Sequence, residues 1–380
     1  MSVKLPAEVL KFAKTEDSKK LYFQAIDYYN HYLHDNVRGH EGKTNFSTHD
    51  SMGKPITLKE KEALVHKSLL EEVAKFAQVS ADSLRENPRI YSNMPSVVYA
   101  TFAIVSSVVD AILPQSIVES TGMYTEVRTI GYGDTGVFNI RPRDLFAVSV
   151  HGHKQRQAEL HKQYSSQVIL NPENHELSVY VDMYRVLCNE ESLGEFMVKV
   201  TRSMDTEIAY DSYLAFDAAM EALPTTPANT ALHVTGYTQD NLVRIAQAVE
   251  AWNFGRRAIV VGTKLALSKV LPDDANYRYF LDDDYARIGY MRTISGYDLM
   301  ALPQVANWAT PFETLLNDER LYIISPSSDK MVKLVFGGDT ITTTSGVFDY
   351  ANLVQTGTMM KAWKVGIATN SVAGVIDLVA

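Results

Sequence analysis

Cysteine is almost absent from this sequence, since Cys188 is the only one among 380 residues. A single cysteine excludes an internal disulfide and a zinc site with paired cysteine spacing. It also favours a reducing compartment. Cys188 comes just before a long helical pattern, where a helix N-terminus can activate a thiol. No histidine lies near it in the sequence, so a nucleophilic role is not the favoured interpretation.

The chain also lacks an excess of positive charge. Its 36 Lys and Arg residues are outnumbered by 45 Asp and Glu residues, which gives a formal net charge of -9. A protein that binds DNA regardless of sequence neutralises phosphates with clustered Lys and Arg. The balance therefore argues against dedicated nucleic-acid binding, and it leaves open a surface that lies near packed DNA.

Long hydrophobic runs are scarce. The first twenty or so residues have no apolar core of the kind found in a secretory signal. The most apolar run, "SVVYATFAIVSSVVDAIL" at residues 96–113, is interrupted by Asp110. It barely reaches the roughly 18 to 20 residues that a membrane span requires. We predict that this run is buried in protein and that the chain has no membrane partner.

Three glycines in "TIGYGDTGVFNI", residues 129–140, have the spacing of a dinucleotide-binding turn: Gly131, Gly133 and Gly136. Such a turn needs a helix after the glycines, because the helix N-terminus holds the pyrophosphate. The segment that follows, "VFNIRPRDLF", favours an extended chain instead. The glycines therefore predict a turn between two strands.

Two polar segments raise the question of a metal site. His151, His153 and His161 lie close together, and neutral histidine is a common metal ligand. They have no companion HExxH pattern or carboxylate cage, so side chains of a solvated hairpin are the favoured interpretation and a metal site is the alternative. The segment "DDANYRYFLDDDY" lacks the spacing and closing Glu of a calcium loop, which favours a solvated loop.

Helical periodicity dominates two parts of the chain. Before residue 80, "AEVLKFAKTEDSKKLYFQAIDYYNHYL" and "TLKEKEALVHKSLLEEVAKFAQ" have apolar residues at spacings of three and four. The second opens with Thr57 and Glu60, which form a capping-box pattern. A helical pattern of about thirty residues then runs from residue 190 and ends at Pro224. At about 1.5 Å per residue this helix would exceed 40 Å, which predicts a long spine.

Strand patterns appear from about residue 124. The segments "YTEVRTI", "FAVSVHGH", "SQVIL" and "ELSVYVDMYRVL" favour β-branched and aromatic residues, which predicts a long antiparallel excursion with a polar, basic far end. Residues 229–339 alternate helix and strand patterns and predict one compact unit. The chain closes with strand-like pieces around a helix-compatible segment, "YANLVQTGTMMKAWK". The predicted fold class is α+β.

The order of these parts resembles the major capsid protein of tailed bacteriophages, the Hong Kong 97-type capsid fold, from about residue 124 to residue 380. "NLVRIAQAVEAWNFGRRAIVVGTKLALSKVL" is similar to the axial domain of that family, and "MKAWKVGIATNSVAGVIDL" to its closing peripheral strands. The resemblance implies the following division: a helical N-terminal region or arm at 1–125, an extended loop at 126–183, a peripheral domain at 184–228 and 340–380 with a spine helix at 190–223, and an axial domain at 229–339.

The resemblance also implies a function. Identical subunits would self-assemble as hexamers and pentamers into an icosahedral shell around double-stranded DNA, without catalysis and without a cofactor. The shell would be assembled in the host cytoplasm, with a portal and scaffold or decoration proteins as further partners. An encapsulin-type nanocompartment shell is the alternative, and a cytosolic metal-dependent enzyme is the remote one.

The predicted extended loop is basic although the chain is acidic. We expect it to be too long to pack on its own domain, so that the ribbon between residues 124 and 187 lies across another copy of the chain. Its charges would contact acidic patches on neighbouring subunits. The residues expected to do so are Arg141, Arg143, Lys154, Arg156 and Lys162.

Overall fold

The computed structural model describes most of the chain, and the statements below concern that part. It comprises residues 16–38, 46–49, 53–121, 125–140, 166–225, 231–272, 287–302, 304, 313–325, 330–344, 355–369 and 371–378.

The first third of the described chain is helical, as the periodicity predicts. The second long helix begins with the predicted capping box, because the Thr57 hydroxyl accepts from the Glu60 N–H and the Glu60 carboxylate accepts from the Thr57 N–H. The helices are α1 at Glu16–Leu33, followed by a π-helical turn at His34–Arg38, α2 at Leu58–Phe76, α3 at Ala81–Glu86, α4 at Pro88–Tyr91 and α5 at Pro95–Thr121.

Helix α5 carries the long apolar run. Its window Pro95–Ile117 is long and apolar enough to cross a membrane by length and composition, and 72% of that window is buried inside the protein. Phe102 and Val108 are fully covered by neighbouring elements. A helix that is apolar all round belongs in the interior of a protein. The prediction that this run is buried in protein is therefore confirmed.

The predicted long helix is present as α7, at Leu193–Glu221. Its 29 residues span about 43 Å at 1.5 Å per residue, and the Ser192 hydroxyl caps its first turn by accepting from the Glu195 N–H. A short helix, α6 at Met183–Leu187, precedes it, capped by Asp182. The prediction that strand continues to residue 187 is wrong, because the Asp182 cap starts a helix there.

A four-stranded sheet packs against these helices. Its order is β1-β10-β11-β4, with β1 parallel to β10 and the other neighbours antiparallel. Side chains from α1, α2, α5, α7 and this sheet form one core. The strands are β1 at Thr125–Ile130, β4 at Glu173–Val181, β10 at Val332–Thr344 and β11 at Gln355–Ile367.

Two predictions fail in this sheet. Residues 355–364 of the helix-compatible segment belong to strand β11, because this strand lies between β10 and β4 and pairs with both. The predicted single antiparallel excursion is also wrong at both ends, since β1 pairs with β10 and β4 pairs with β11. Among the residues described between β1 and β4, two strands form a separate antiparallel ribbon: β2 at Gly136–Ile140 and β3 at Ser166–Leu170.

A six-stranded sheet forms the second layer, in the order β5-β12-β9-β6-β8-β7. Helices α8 at Gln239–Trp252 and α9 at Lys264–Ser268 pack on one core of this sheet. The end of α7 packs on another core, through Met220. The strands are β5 at His233–Thr235, β6 at Ile259–Thr263, β7 at Thr293–Ile294, β8 at Tyr297–Leu302, β9 at Arg320–Ile324 and β12 at Gly374–Asp377.

Strand β12 corrects the resemblance at one point. The resemblance places "VAGVIDL" with the closing strands of the peripheral domain, but β12 pairs with β5 and β9 in the six-stranded sheet. Strand β10, whose first residues fall in the predicted axial range, pairs instead in the four-stranded sheet. The chain therefore crosses between the two sheets after β9 and again before β12.

Candidate functional site

The β2–β3 ribbon is anchored at its root on the four-stranded sheet. The ring of Phe138 in β2 is only 1% exposed. The Arg128 guanidinium carbon lies 4.4 Å from the ring centroid, and Lys333 Nζ lies 5.7 Å from it. Cations at this distance from an aromatic face are attracted to it. Phe138 thus fixes the ribbon between a residue of β1 and a residue of β10.

A single carboxylate holds both cations in place. Glu126 accepts from Lys333 Nζ at 2.7 Å and from Arg128 Nη2 at 2.8 Å, and Arg128 Nη1 donates to the Val137 carbonyl of the ribbon at 2.6 Å. Burial raises the pKa of Glu126, but the hydrogen bonds from Lys333 and Arg128 outweigh it and leave that pKa below its ordinary value. Lys333 is 2% exposed, and its ion pair with Glu126 joins β10 to β1 inside the protein.

The three glycines lie where the ribbon leaves the sheet. Residues 131–135 form the turn between β1 and β2, closed by the Asp134 N–H donating to the Gly131 carbonyl at 3.2 Å, and Gly133 has a φ of +85°. A Cβ at Gly136 would lie 2.5 Å from Val335 Cγ2, so only glycine lets β2 approach β10 this closely. The predicted turn between two strands is confirmed.

The five basic residues expected to contact neighbouring subunits lie outside the described residues, as do the three histidines. β2 ends at Ile140 and β3 begins at Ser166, so the segment 141–165 that carries them leaves and re-enters the far end of the ribbon. Within the described residues, no group of three or more His, Cys, Asp or Glu side chains could hold a metal ion. The intersubunit role of these residues stays a prediction: Arg141, Arg143, Lys154, Arg156 and Lys162.

The expectation that the whole ribbon from residue 124 to 187 lies across another copy is wrong for its described parts. β1 and β4 form backbone ladders with β10 and β11 of the same chain, and the root of β2 packs on this sheet. The reason is that β10 and β11 offer backbone partners that the sequence pattern does not reveal.

A charged network ties the long helix to the six-stranded sheet. Arg320 on β9 donates from Nη1 to Asp217 of α7 and from Nε to Asp377 of β12, both at 2.7 Å. The Tyr322 hydroxyl donates to Asp217 at 2.6 Å, and His233 Nε2 lies 2.6 Å from Asp377. Burial lowers the pKa of Arg320, but its two carboxylate partners outweigh that effect and raise it.

An acidic cavity of about 600 Å³ lies between α2 and the start of α7. Its carboxylates come from both elements, and buried His66 also lines it. Sequence reasoning missed this cavity, because its two sides are more than 100 residues apart. Its charged and polar lining residues are Lys59, Glu62, His66, Asn189, Glu190, Glu191, Ser192, Glu195 and Lys199.

Several solved structures are similar to this chain. The capsid of an empty GTA particle shares 13% identity at a TM-score of 0.44, covering 69% of this chain and 96% of that one. The procapsid of satellite phage P4, which includes the size determination (Sid) protein, shares 8% identity at 0.43, covering 70% and 90%. A virus-like particle from Pyrococcus furiosus shares 11% identity at 0.37, covering 70% and 96%.

None of the curated proteins matches this chain. A family model matches it over residues 33–377, and that family is described as "SPbeta prophage-derived putative capsid protein YonB". The match includes the helices from α2 onwards, both sheets and the ribbon. It confirms the recognition of a phage capsid protein from the order of parts. The chain belongs to the YonB family of prophage-derived capsid proteins.

Proposed function

We propose that this protein is a major capsid protein that self-assembles into an icosahedral shell enclosing double-stranded viral DNA. The observation that carries the proposal is the anchored ribbon. Its root is fixed to the sheet through Phe138, Arg128 and Glu126, while the basic segment 141–165 continues from its far end. A contact between subunits is stronger when the segment that makes it is already held in place, because ordering a flexible segment on binding costs free energy. A root fixed to the sheet lowers that cost.

The long helix supports the same role. α7 belongs to the main core at Met197 and reaches the six-stranded sheet at Met220, and Arg320 locks it there. One continuous helix thus links the cores of both sheets. Family membership points to a structural protein and not to an enzyme.

The partners follow from this role. Identical subunits form hexamers and pentamers, a portal and scaffold or decoration proteins join the shell, and packaged DNA lies near it without specific contacts. Assembly takes place in the host cytoplasm and the product is the virion capsid.

We assign the extended loop to residues 131–172, between β1 and β4. The peripheral domain then consists of the four-stranded sheet with α7, and the axial domain of the six-stranded sheet, including β12.

Electron microscopy of the purified full-length protein tests this function. We expect closed shells or capsomers, and we expect nuclease-protected double-stranded DNA in particles from cells that produce the complete virus. A monodisperse monomer under assembly conditions would contradict the proposal. Shells that enclose a cargo enzyme and no DNA would favour an encapsulin-type nanocompartment instead.

A further inference from the structure

We propose that residues 46–49 form a strap that is closed over α1 and α2 at neutral pH and opens in mild acid, with His31 as the group that controls it. These four residues lie between the two helices in the sequence, and they contact both of them. The inference goes beyond the proposed function and does not depend on assembly.

The ring of Phe46 fastens the strap to both helices. It lies parallel to the His31 ring, with 4.3 Å between centroids and an angle of 9° between the planes. The His34 ring meets it edge-on at 5.1 Å, and Lys61 Nζ of α2 lies 5.0 Å from its centroid. Stacked, edge-on and cation contacts with an aromatic ring are all attractive. One side chain therefore joins the strap to α1, to the π-helical turn and to α2.

The next residue of the strap adds polar contacts. The Ser47 N–H donates to Asp27 Oδ1 at 2.6 Å, and the Ser47 hydroxyl donates to Asp27 Oδ2 at 2.8 Å. Lys61 Nζ lies 2.7 Å from the same Oδ2, and both members of this ion pair are buried. The strap therefore supplies donors that a buried carboxylate needs. The Ile56 N–H donates to the Thr48 carbonyl at 3.1 Å, which ties the strap to the residues before α2.

His31 is the group that responds to pH. Its side chain is buried, Nε2 lies 3.3 Å from Asp35, and Nδ1 has no hydrogen-bond partner among the described residues. Burial lowers the pKa of His31, and the charge of Lys61 lowers it further. Asp35 and Asp27 raise it, and His34 has a smaller lowering effect. The resulting pKa lies below the ordinary value of 6.5, so the closed strap favours a neutral ring.

The direction of this shift determines when the strap opens. In the open form water reaches the His31 ring, so its pKa returns towards the ordinary value of 6.5. The open form then binds a proton more readily than the closed form does. The stability of the closed form is fully present above that value and is lost as the pH falls towards the lower closed-state pKa. Opening exposes Phe46 and lets water reach the ion pair of Asp27 and Lys61.

Hydrogen–deuterium exchange of unassembled full-length subunits tests this device. The reporter is the Ser47 amide, because its hydrogen bond to Asp27 breaks when the strap opens. After correction for the pH dependence of chemical exchange, its exchange rate is expected to rise several-fold from about pH 7.5 to about pH 5.5, the range in which histidine titrates. The amide of buried Leu69 in α2 is the internal reference and should not change.

His31→Phe separates the proton from the packing. Phenylalanine keeps a flat ring against Phe46 and cannot titrate. It loses only the Nε2 contact with Asp35, since Nδ1 has no hydrogen-bond partner among the described residues. In this variant Ser47 exchange is expected to keep its neutral-pH rate down to about pH 5.5. His49→Gln is the matched control, because His49 is an exposed histidine of the same strap, and it should keep the wild-type response.

Each outcome decides the proposal. An acid response that persists in His31→Phe would overturn the assignment to His31, and a wild-type rate that is the same at both pH values would overturn the strap as an acid-sensitive device. If His31→Phe opens the strap at neutral pH, His31→Gln replaces it: a rate independent of pH supports the proposal, and a rate that still rises in acid contradicts it. Because the subunits are unassembled, either failure leaves the proposed function standing.

Discussion

Lys361 and Asp110 form an ion pair at 2.6 Å in which each side chain is 5% exposed. It joins α5 to the four-stranded sheet at the point where the register between β10 and β11 shifts. Thr340 of the shifted stretch donates both its N–H and its hydroxyl to Asp110, and Lys361 donates to the Gly338 carbonyl. The pair therefore satisfies backbone groups that the irregular ladder leaves without strand partners.

Removing one partner of this pair is expected to be costly. Asp110→Ala leaves the Lys361 ammonium buried and uncompensated, and we expect a loss of about 3–5 kcal/mol in the free energy of unfolding. Asp110→Leu combined with Lys361→Met should be less destabilised than either single variant, because no unpaired charge remains. Urea denaturation of unassembled subunits measures all of them. A double variant as unstable as Asp110→Ala would contradict this assignment.

The close approach of β2 to β10 predicts a steric effect at Gly136. A methyl group there meets Val335 at 2.5 Å, so Gly136→Ala should destabilise the subunit by about 1–3 kcal/mol. Val335→Ala removes the obstructing atoms and should make the added methyl group nearly neutral in the double variant. Thermal melts of the wild type, the two single variants and the double variant give the coupling energy between Gly136 and Val335. Independent, additive effects would show that the ribbon root does not pack on Val335.

The Glu126 site predicts a pH dependence. The pKa of Glu126 is lower in the folded protein than its ordinary value of 4.5, so its stabilising effect is fully present above that value. The effect is lost as the pH falls through the lower folded-state pKa. Glu126→Gln lacks this effect, and its stability should lie below the wild-type curve at neutral pH and approach it in acid.

Urea midpoints recorded between pH 7 and about pH 3 test this convergence. Glu71→Gln, on the exposed side of α2, is the control and should follow the wild-type curve throughout. A constant difference between Glu126→Gln and wild type over the whole range would contradict the role of Glu126.

The hydrogen bonds of Arg320 lead to a prediction about how firmly α7 is held to the six-stranded sheet. The guanidinium of Arg320 donates to Asp217 and Asp377 from two separate nitrogen atoms, which the single ammonium of Arg320→Lys cannot do. We therefore expect faster amide exchange in the second half of α7 and in β12. Tyr322→Phe is the matched comparison, since it removes one hydrogen bond to Asp217 and keeps the ring. It should lower the free energy of unfolding by about 1 kcal/mol. Unchanged exchange in Arg320→Lys would show that apolar packing alone holds the helix.

Local signals predicted the helices well. Thr57 and Glu60 mark the start of α2, and the apolar spacing together with Pro224 marks α7, because caps and helical periodicity depend on residues a few positions apart. The turn at Gly133 was predictable for the same reason. Order and spacing of these parts were enough to suggest the capsid family.

The sheets were less predictable because their partners are distant in the sequence. The second half of β11 has the predicted strand-like pattern, whereas its first half is helix-compatible on its own and is a strand because it pairs with β10 and β4. The parallel pairing of Thr125 with Val332 has no connecting turn to reveal it. No local signal predicts the burial of Lys333 and Lys361, since their carboxylate partners lie more than 200 residues away.

The most direct test of the whole account is a cryo-electron microscopy reconstruction of particles assembled from the full-length protein, with the chain traced through residues 141–165. We expect a closed shell in which this segment of each subunit lies on a neighbouring copy. A particle in which the segment folds over its own subunit, or a protein that forms no shell at all, would contradict the account.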